Sequence, residues 1–546
     1  MKRFFLCNIL CLFALSIIAQ TAHVKNVIVM IPDGTSTSLL SAARWYQTYM
    51  DSSKSSLNID PFLTGLVRTN SSDAPIGDSA PTTSCYMTGQ PTQTAFVSTY
   101  PVKTDHDLVP IDETRAYQPQ ATLLEYAKRQ QEKSTGLVFT CNFPHATPAD
   151  CAAHTYDRGD AEGIAKQMVY NKVDVVIGGG VSYLKEPEQS FLKENGYNIY
   201  LDDVKGLRSC QSAPCWALFE PYAMPYDMER DTTKLPSLAE MTQKAIELLS
   251  SNPNGFFMMV EGSKVDWAAH DNDAKAAITD FLAFDQACKV ALDFAQKDGN
   301  TLVLIAPDHG TSALTVGNAK SNHGYDKLSL KQIMQTVDDY KISIATMTEK
   351  MNKVEPTDWP ALFKTNFNID VDEAEVAYLK TAHDYKKSDL PKEQRAQLSL
   401  SKMLSQVLYG RTYFGFTTFG HTMENVFLAV YHPKGDVLSG CPTNIEVNQY
   451  LCKQMGMTEP LRDLSDELFV DHRKVFADYQ YQIDSISPSQ YRLTAKYKKN
   501  TLVVDSYTSY VTVNKKRYDL SSVVVYMPKN KTLYVPKELY KYLLLK

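Results

Sequence analysis

Asn26-Val27-Ile28-Val29-Met30-Ile31-Pro32-Asp33-Gly34 decides the fold. Val27 to Ile31 is an unbroken apolar run, which is how a strand covered on both faces reads. It stops at Pro-Asp-Gly, so a carboxylate sits at the strand's C-terminal tip. In open α/β sheets that edge is where ligands bind. The pattern recurs downstream. Residues 135–141 run into Phe143-Pro144-His145-Ala146-Thr147-Pro148, and residues 173–177 close on three glycines. Residues 255–260 end in Glu261-Gly262, and residues 301–305 end in Pro307-Asp308-His309-Gly310. Gly420-His421-Thr422 precedes a further strand at 426–431, and 65–68 is a short one. Helical patterns at 37–49, 121–131, 236–250 (with Pro236 in its first turn) and 274–296 lie between them. The alternation predicts an α/β fold: a mainly parallel central sheet with helices on both faces.

A second stretch supplies a nucleophile: Gly77-Asp78-Ser79-Ala80-Pro81-Thr82-Thr83-Ser84-Cys85-Tyr86-Met87-Thr88-Gly89. A turn ending in Asp-Ser and followed by small residues puts Ser79 at the mouth of a helix. Unpaired N–H groups and the positive dipole end favour an anion there. Taken singly, Asp-Ser is an ordinary N-cap, Asp33 a helix cap, and Arg158 a surface charge. Together the strand tips place Asp33, His145, Thr147, Glu261, Asp308 and His309 on one rim with Ser79. Asp266 and His270, four apart, share a helix face nearby. Nitrogen and carboxylate donors without thiols suit zinc, and carboxylate with hydroxyl suits magnesium. Two cations about 4 Å apart serve in-line phosphoryl displacement.

Size and charge bound the rest. A chain of 546 residues accommodates one large domain with an accessory. The formal net charge of −6, without a basic stripe, excludes a nucleic-acid binder. Lys2-Arg3 followed by the apolar run 4–19 reads as an export signal, residues 1–22. No later run suggests a membrane span, so the mature chain is expected in the periplasm or secreted. In that compartment bridges are permitted, and Cys210–Cys215 and Cys441–Cys452 are the favoured local pairs. Residues 23–482 form the catalytic domain, with 310–420 a crown-like insertion over the sheet edge. Period-two alternation makes 490–546 a small β-rich module, reached through a linker at 485–490.

The motifs resemble, in order, those of the alkaline phosphatase family. They are Pro32-Asp33-Gly34, Asp78-Ser79-Ala80, His145-Ala146-Thr147-Pro148 with Arg158, Val260-Glu261-Gly262 with Asp266 and His270, Asp308-His309-Gly310, and Gly420-His421-Thr422. The resemblance implies a phosphomonoesterase in which Ser79 is transiently phosphorylated and Arg158 grips the phosphate. It implies one zinc on Asp266, His270 and His421, and a second on Asp33, Asp308 and His309. Asp33, Thr147 and Glu261 would hold one magnesium, with His145 beside them. Phosphate monoesters and inorganic phosphate are the implied partners, and a homodimer the implied assembly. Two positions depart from the pattern: Trp267, where many members have Lys or His, and His145, where some have Asp. The alternatives are a related two-zinc phosphodiesterase or sulfatase-like hydrolase, and a non-catalytic exported binding protein.

Overall fold

The computed structural model describes residues 23–385, 399–487 and 489–545. The expected export signal lies outside them. Nine strands form the central sheet: β1 (Asn26–Ile31), β2 (Leu63–Val67), β3 (Ser134–Asn142), β4 (Val175–Gly179), β5 (Asn198–Leu201), β6 (Cys215–Phe219), β7 (Phe256–Glu261), β8 (Thr301–Ile305) and β9 (Val426–Tyr431). Their spatial order is β2-β9-β8-β1-β7-β3-β4-β6-β5. From β8 to β5 all pairings are parallel; β9 runs antiparallel to both β8 and β2.

Successive strand residues point to opposite faces, and the two faces bury different cores. Ile28, Met30, Met258 and Val303 join one core with Ala42, Ala43 and Tyr46 of helix α1 (Thr37–Met50). Val27, Val29, Phe257 and Leu302 join the other, with Ala80, Tyr86 and Met87 of helix α2 (Ser79–Thr88). This two-sided burial is why β1 and β7 read as continuous apolar runs instead of alternating ones.

Register sets the rim. Met30 lies opposite Ile305, and Ile31 opposite Glu261. Asp33 and Asp308 each lie three residues past the paired Met30 and Ile305, so they emerge side by side. Helix α3 (Lys264–His270) leaves the end of β7, and helix α4 (Ala274–Asp298) follows it. A two-residue antiparallel pairing, Thr311 with His421, brings the returning chain back beside His309.

The insertion is mainly helical where described, with helices such as Leu330–Asp338, Trp359–Phe367 and Leu400–Tyr409, and a short antiparallel pairing of Thr315–Val316 with Phe414–Gly415 at its base. Its Met334, Trp359, Phe363 and Leu404 belong to the core on the α1 side of the sheet. The C-terminal strands form a five-stranded antiparallel sheet around their own small core, including Leu493, Leu502 and Val511.

Two expectations are corrected, and the two favoured cysteine pairs are not bridged, although Cys210 and Cys215 are side-chain neighbours. The stretch expected as a linker at 485–490 lies inside a hairpin, Gln480–Ser487 paired with Gln490–Tyr497, because its alternating side chains find a partner strand. Pro236 precedes the helix Leu238–Leu249 instead of opening it; Ser237 is the cap and accepts from the Glu240 N–H. All eight described cysteines are free thiols. The Cys452 thiol donates to Asn448 Oδ1 at 3.2 Å, and Cys441 is exposed. The Cys210 thiol donates to the Ser212 carbonyl at 3.4 Å.

Candidate active site

Ser79 opens α2, with Asp78 as its N-cap in extended conformation. The helix is buried on every side and is tied to the rim at both ends. Tyr86 donates its hydroxyl to the Pro307 carbonyl at 2.8 Å, just before Asp308. Asn448 donates to the Tyr86 carbonyl at 2.8 Å. Ser79 Oγ, almost fully buried, lies 3.4 Å from Asp33 Oδ1 and 3.2 Å from His309 Nε2. Arg158 donates through Nη1 to Asp78 Oδ1, beside the serine. Its remaining guanidinium N–H groups have no partner among the described residues.

Asp33, Asp308 and His309 present ligand atoms within 4.8 Å of one another, and so do Asp266, His309 and His421. His309 borders both groups. His270 completes the second: its Nε2 is 3.4 Å from Asp266 Oδ2 and 3.0 Å from His421 Nε2. Gly34 makes the convergence fit. It sits at φ +62°, and a Cβ there would meet Asp266 Oδ1 at 2.3 Å. Its N–H donates to Asp308 Oδ1 at 3.1 Å.

The histidine tautomers follow from their partners. His270 Nδ1 faces the Phe419 carbonyl at 2.7 Å, and His421 Nδ1 faces the Gly77 carbonyl at 2.8 Å. Carbonyls only accept, so both Nδ1 atoms carry hydrogen. In the neutral rings both Nε2 atoms are then bare lone pairs aimed at each other. Shared positive charge relieves such a contact, as a metal ion held by both nitrogens would, and backing one ring nitrogen with a carbonyl is how ligating histidines are oriented.

A third group joins Cys141, His145 and Glu261, with the Thr147 hydroxyl at Glu261. The Cys141 thiol donates to Glu261 Oε2 at 3.3 Å. His145 meets the Trp267 ring edge-on at 5.6 Å. The Lys264 ammonium lies 4.2 Å from the Trp267 ring centroid and 4.0 Å from that of Tyr226. Trp267 therefore packs against the third group and under a cation.

Charges in this rim are under stress. Burial, then Asp308, Asp266 and Glu261, raise the Asp33 carboxyl well above the usual range. Burial likewise raises Asp308 and lifts Glu261 to about 8. Asp266 is the exception: burial is outweighed by His270, His309 and His421, and it falls to about 2. Burial, then Arg158, lowers His145 to about 3; burial, then His309, lowers His421 to about 4. Asp33 Oδ2, Asp308 Oδ2, Glu261 Oε1 and His145 Nδ1 are buried with no hydrogen-bond partner among the described residues. Leaving such atoms unsatisfied is costly, and cations would satisfy them. The donor set therefore fits metal ions.

Sequence reading named these side chains but missed their supports. Thr311 donates to Asp266 Oδ1 at 2.7 Å. Ser263 Oγ accepts from the Thr140 and Cys141 N–H groups at 3.1 and 3.0 Å. Asp78, Cys141 and Thr311 sit next to or within strand-tip motifs, and that adjacency was the available signal.

A parallel sheet, a serine at a helix mouth and a rim of buried nitrogen and carboxylate donors define a hydrolase of phosphate esters. The family model for alkaline phosphatase matches residues 24–457, and the chain belongs to that family. It is an alkaline phosphatase, a phosphoric monoester hydrolase. It is 32% identical over 440 residues to alkaline phosphatase 4 of Bacillus subtilis (strain 168), covering 78% of this chain and 87% of that protein. The crystal structure of a cold-active alkaline phosphatase from Shewanella sp. superposes with a TM-score of 0.66 at 25% identity, covering 79% of this chain and 99% of the other. A variant of the enzyme from the Antarctic bacterium TAB5, with a histidine replaced by aspartate and Mg bound, matches at TM-score 0.55 and 25% identity, covering 81% of this chain and 100% of that one.

Proposed function

We propose that this chain hydrolyses phosphate monoesters of broad range through a phosphoserine on Ser79, at a site holding two zinc ions and one magnesium ion. The observation that carries it is the His270–His421 contact, two bare Nε2 atoms 3.0 Å apart with both Nδ1 atoms committed to carbonyls. Asp266, His270 and His421 would hold one zinc, and Asp33, Asp308 and His309 the other. Asp33, Thr147 and Glu261 would hold magnesium with His145 beside it; the magnesium of the TAB5 variant supports a third cation in this fold. Bound metals would supply positive charge that stabilises developing negative oxygen and makes a hydroxyl nucleophilic at working pH.

The chain's own residues do the rest. Ser79 Oγ gives up its proton and bonds to phosphorus as the bond to the ester oxygen breaks, and the departing oxygen takes up a proton from solvent to leave as the alcohol. Water then forms the new phosphorus–oxygen bond, and the Ser79 Oγ–phosphorus bond breaks. The α2 N-terminus faces the phosphate with unpaired N–H groups. Arg158, anchored on Asp78 by one nitrogen, offers its other N–H groups to two phosphate oxygens. The leader at 1–22 supports export, and the fold supports a homodimer by analogy alone.

Brief incubation with labelled monoester at acid pH should trap phosphate on Ser79, and alkaline pH should release it. Ser79→Ala should abolish the label while zinc and magnesium content stays unchanged by elemental analysis. Label on any other residue overturns the assignment.

A further inference from the structure

The C-terminal strands meet the catalytic body at a cavity of about 320 Å³. Tyr156, Asp157 and Asp160 line it from the body, and Tyr491, Tyr507 and Tyr526 from the module. Asp157 immediately precedes Arg158 in the chain, and Asp160 follows it two residues later. Each spends one oxygen on its own turn: Asp157 Oδ1 accepts from the Gly159 N–H at 2.8 Å, and Asp160 Oδ1 from the Gly163 N–H at 3.0 Å. The second oxygen of each has no partner among the described residues, and neither carboxylate is in an ion pair there.

Tyr507 is 6% exposed, yet its hydroxyl has no hydrogen-bond partner among the described residues. It stands at φ +65°, a region that bulky side chains rarely adopt. The Tyr507 N–H holds it there by donating to the Val524 carbonyl at 2.6 Å. Tyr491 and Tyr526 stack at 3.7 Å beside it. The Lys529 ammonium, at the rim, stands 5.5 Å from the Tyr156 ring centroid, so this ring already draws a cation. Burial and the neighbouring Asp157 and Glu162 raise the Asp160 carboxyl, partly offset by the Gly163 N–H and by Lys166.

We propose that this seam is a binding site for a small organic ammonium group. Tyrosine rings and phenol oxygens would surround the cation while Asp157 and Asp160 neutralise it. Ring faces attract cations electrostatically, more strongly once water is displaced, and quaternary ammonium groups are bound in such aromatic cages elsewhere. The proposal does not depend on the metal reading of the phosphate site, and it gives the module a role beyond packing.

Choline is the probe, with 3,3-dimethylbutan-1-ol as its uncharged isostere. Both are titrated calorimetrically into the full-length, metal-loaded protein at fixed ionic strength. Choline should bind saturably and at least tenfold more tightly than the isostere. The double variant Asp157→Asn with Asp160→Asn keeps the turn hydrogen bonds, since the amide oxygen accepts equally well. It should lose the preference for choline. Tyr507→Phe, which keeps the ring, should weaken choline binding several-fold and provides the check if the double variant fails to fold. Equal binding of the two probes, or no saturation by choline up to about 10 mM, a very weak affinity, overturns the proposal. So does a double variant that folds and still prefers choline.

Discussion

Arg158 shows how one side chain can be anchored and available at once. Asp78 takes one guanidinium nitrogen, which fixes the fork beside Ser79 and leaves other N–H groups for an anion. Arg158→Ala should therefore weaken phosphate more than it disturbs folding. Loss of charge-assisted bonds corresponds to roughly 1.5–3 kcal/mol. The inhibition constant of inorganic phosphate should rise accordingly, while the unfolding midpoint falls modestly because the largely buried Asp78 loses its partner. An unchanged inhibition constant would remove Arg158 from the phosphate site. The converging side chains proposed as ligands were legible because each ends a strand or follows one at a fixed spacing: Asp33, Glu261 and Asp308 at tips, Asp266 and His270 one turn apart. Their supports were not. Thr311 and Ser263 act through hydrogen bonds to residues distant in the chain, and no periodicity marks such a residue. Trp267 was visible only as a departure; that it packs on His145 is a fact of three dimensions.

At the scale of elements, apolar runs located the parallel strands because burial on both faces removes polar residues from them. Helix ends were less legible, since a cap depends on one hydrogen bond; Ser237 took the place expected for Pro236. The helix Leu123–Gln130 illustrates what a buried cap adds. Thr122 and Glu125 form a capping box, and Glu125 also accepts from Asn171 Nδ2 at 3.0 Å and lies 3.1 Å from His154 Nε2. Burial pushes the Glu125 carboxyl up, but His154, Arg129 and the Thr122 N–H outweigh it and leave it lowered. A lowered carboxyl contributes stability that is fully present above its unfolded value near 4.3. That contribution is lost as pH falls through the lower folded value. Glu125→Gln breaks a fully buried pair and should cost about 3 kcal/mol at neutral pH. The cost should shrink as pH falls below about 4.3, where the carboxyl of the unfolded chain takes up a proton that the folded one still refuses. Denaturant titration at two pH values measures this. A difference independent of pH would mean that the ion pair contributes nothing.

The whole molecule is less divisible than its sequence suggests. The change of character after residue 482 reads as a boundary, and the C-terminal strands do enclose their own core. Yet Val523, Val525, Met527 and Tyr534 belong to the core of the catalytic body, and Val470 pairs with Val535. Alternating strands look alike whether their second face meets solvent or another core, so the seam was invisible in sequence. Truncation after residue 479 should expose that apolar face and lower soluble yield, even though every proposed ligand remains. A soluble truncated protein with the full-length melting temperature would refute the shared core.

Charge is shared across the molecule as well, because the rim gathers carboxylates from distant strands. In metal-free protein, burial raises Asp33, Asp308 and Glu261, the last to about 8. Groups whose folded value lies above the unfolded one contribute stability at low pH and lose it as pH rises through the folded value. Up to about pH 6.5, the unfolded histidine value, the lowered His145 and His421 offset part of this loss, so chelated protein should lose melting temperature most clearly between about pH 6.5 and pH 8. Zinc and magnesium should flatten that slope, since cations neutralise the same carboxylates and stabilise the state that binds them. Melting curves across pH, with chelator and with restored metals, test this. If the two slopes coincide, the buried carboxylates are not metal ligands, and the cation-dependent account of this rim fails with them.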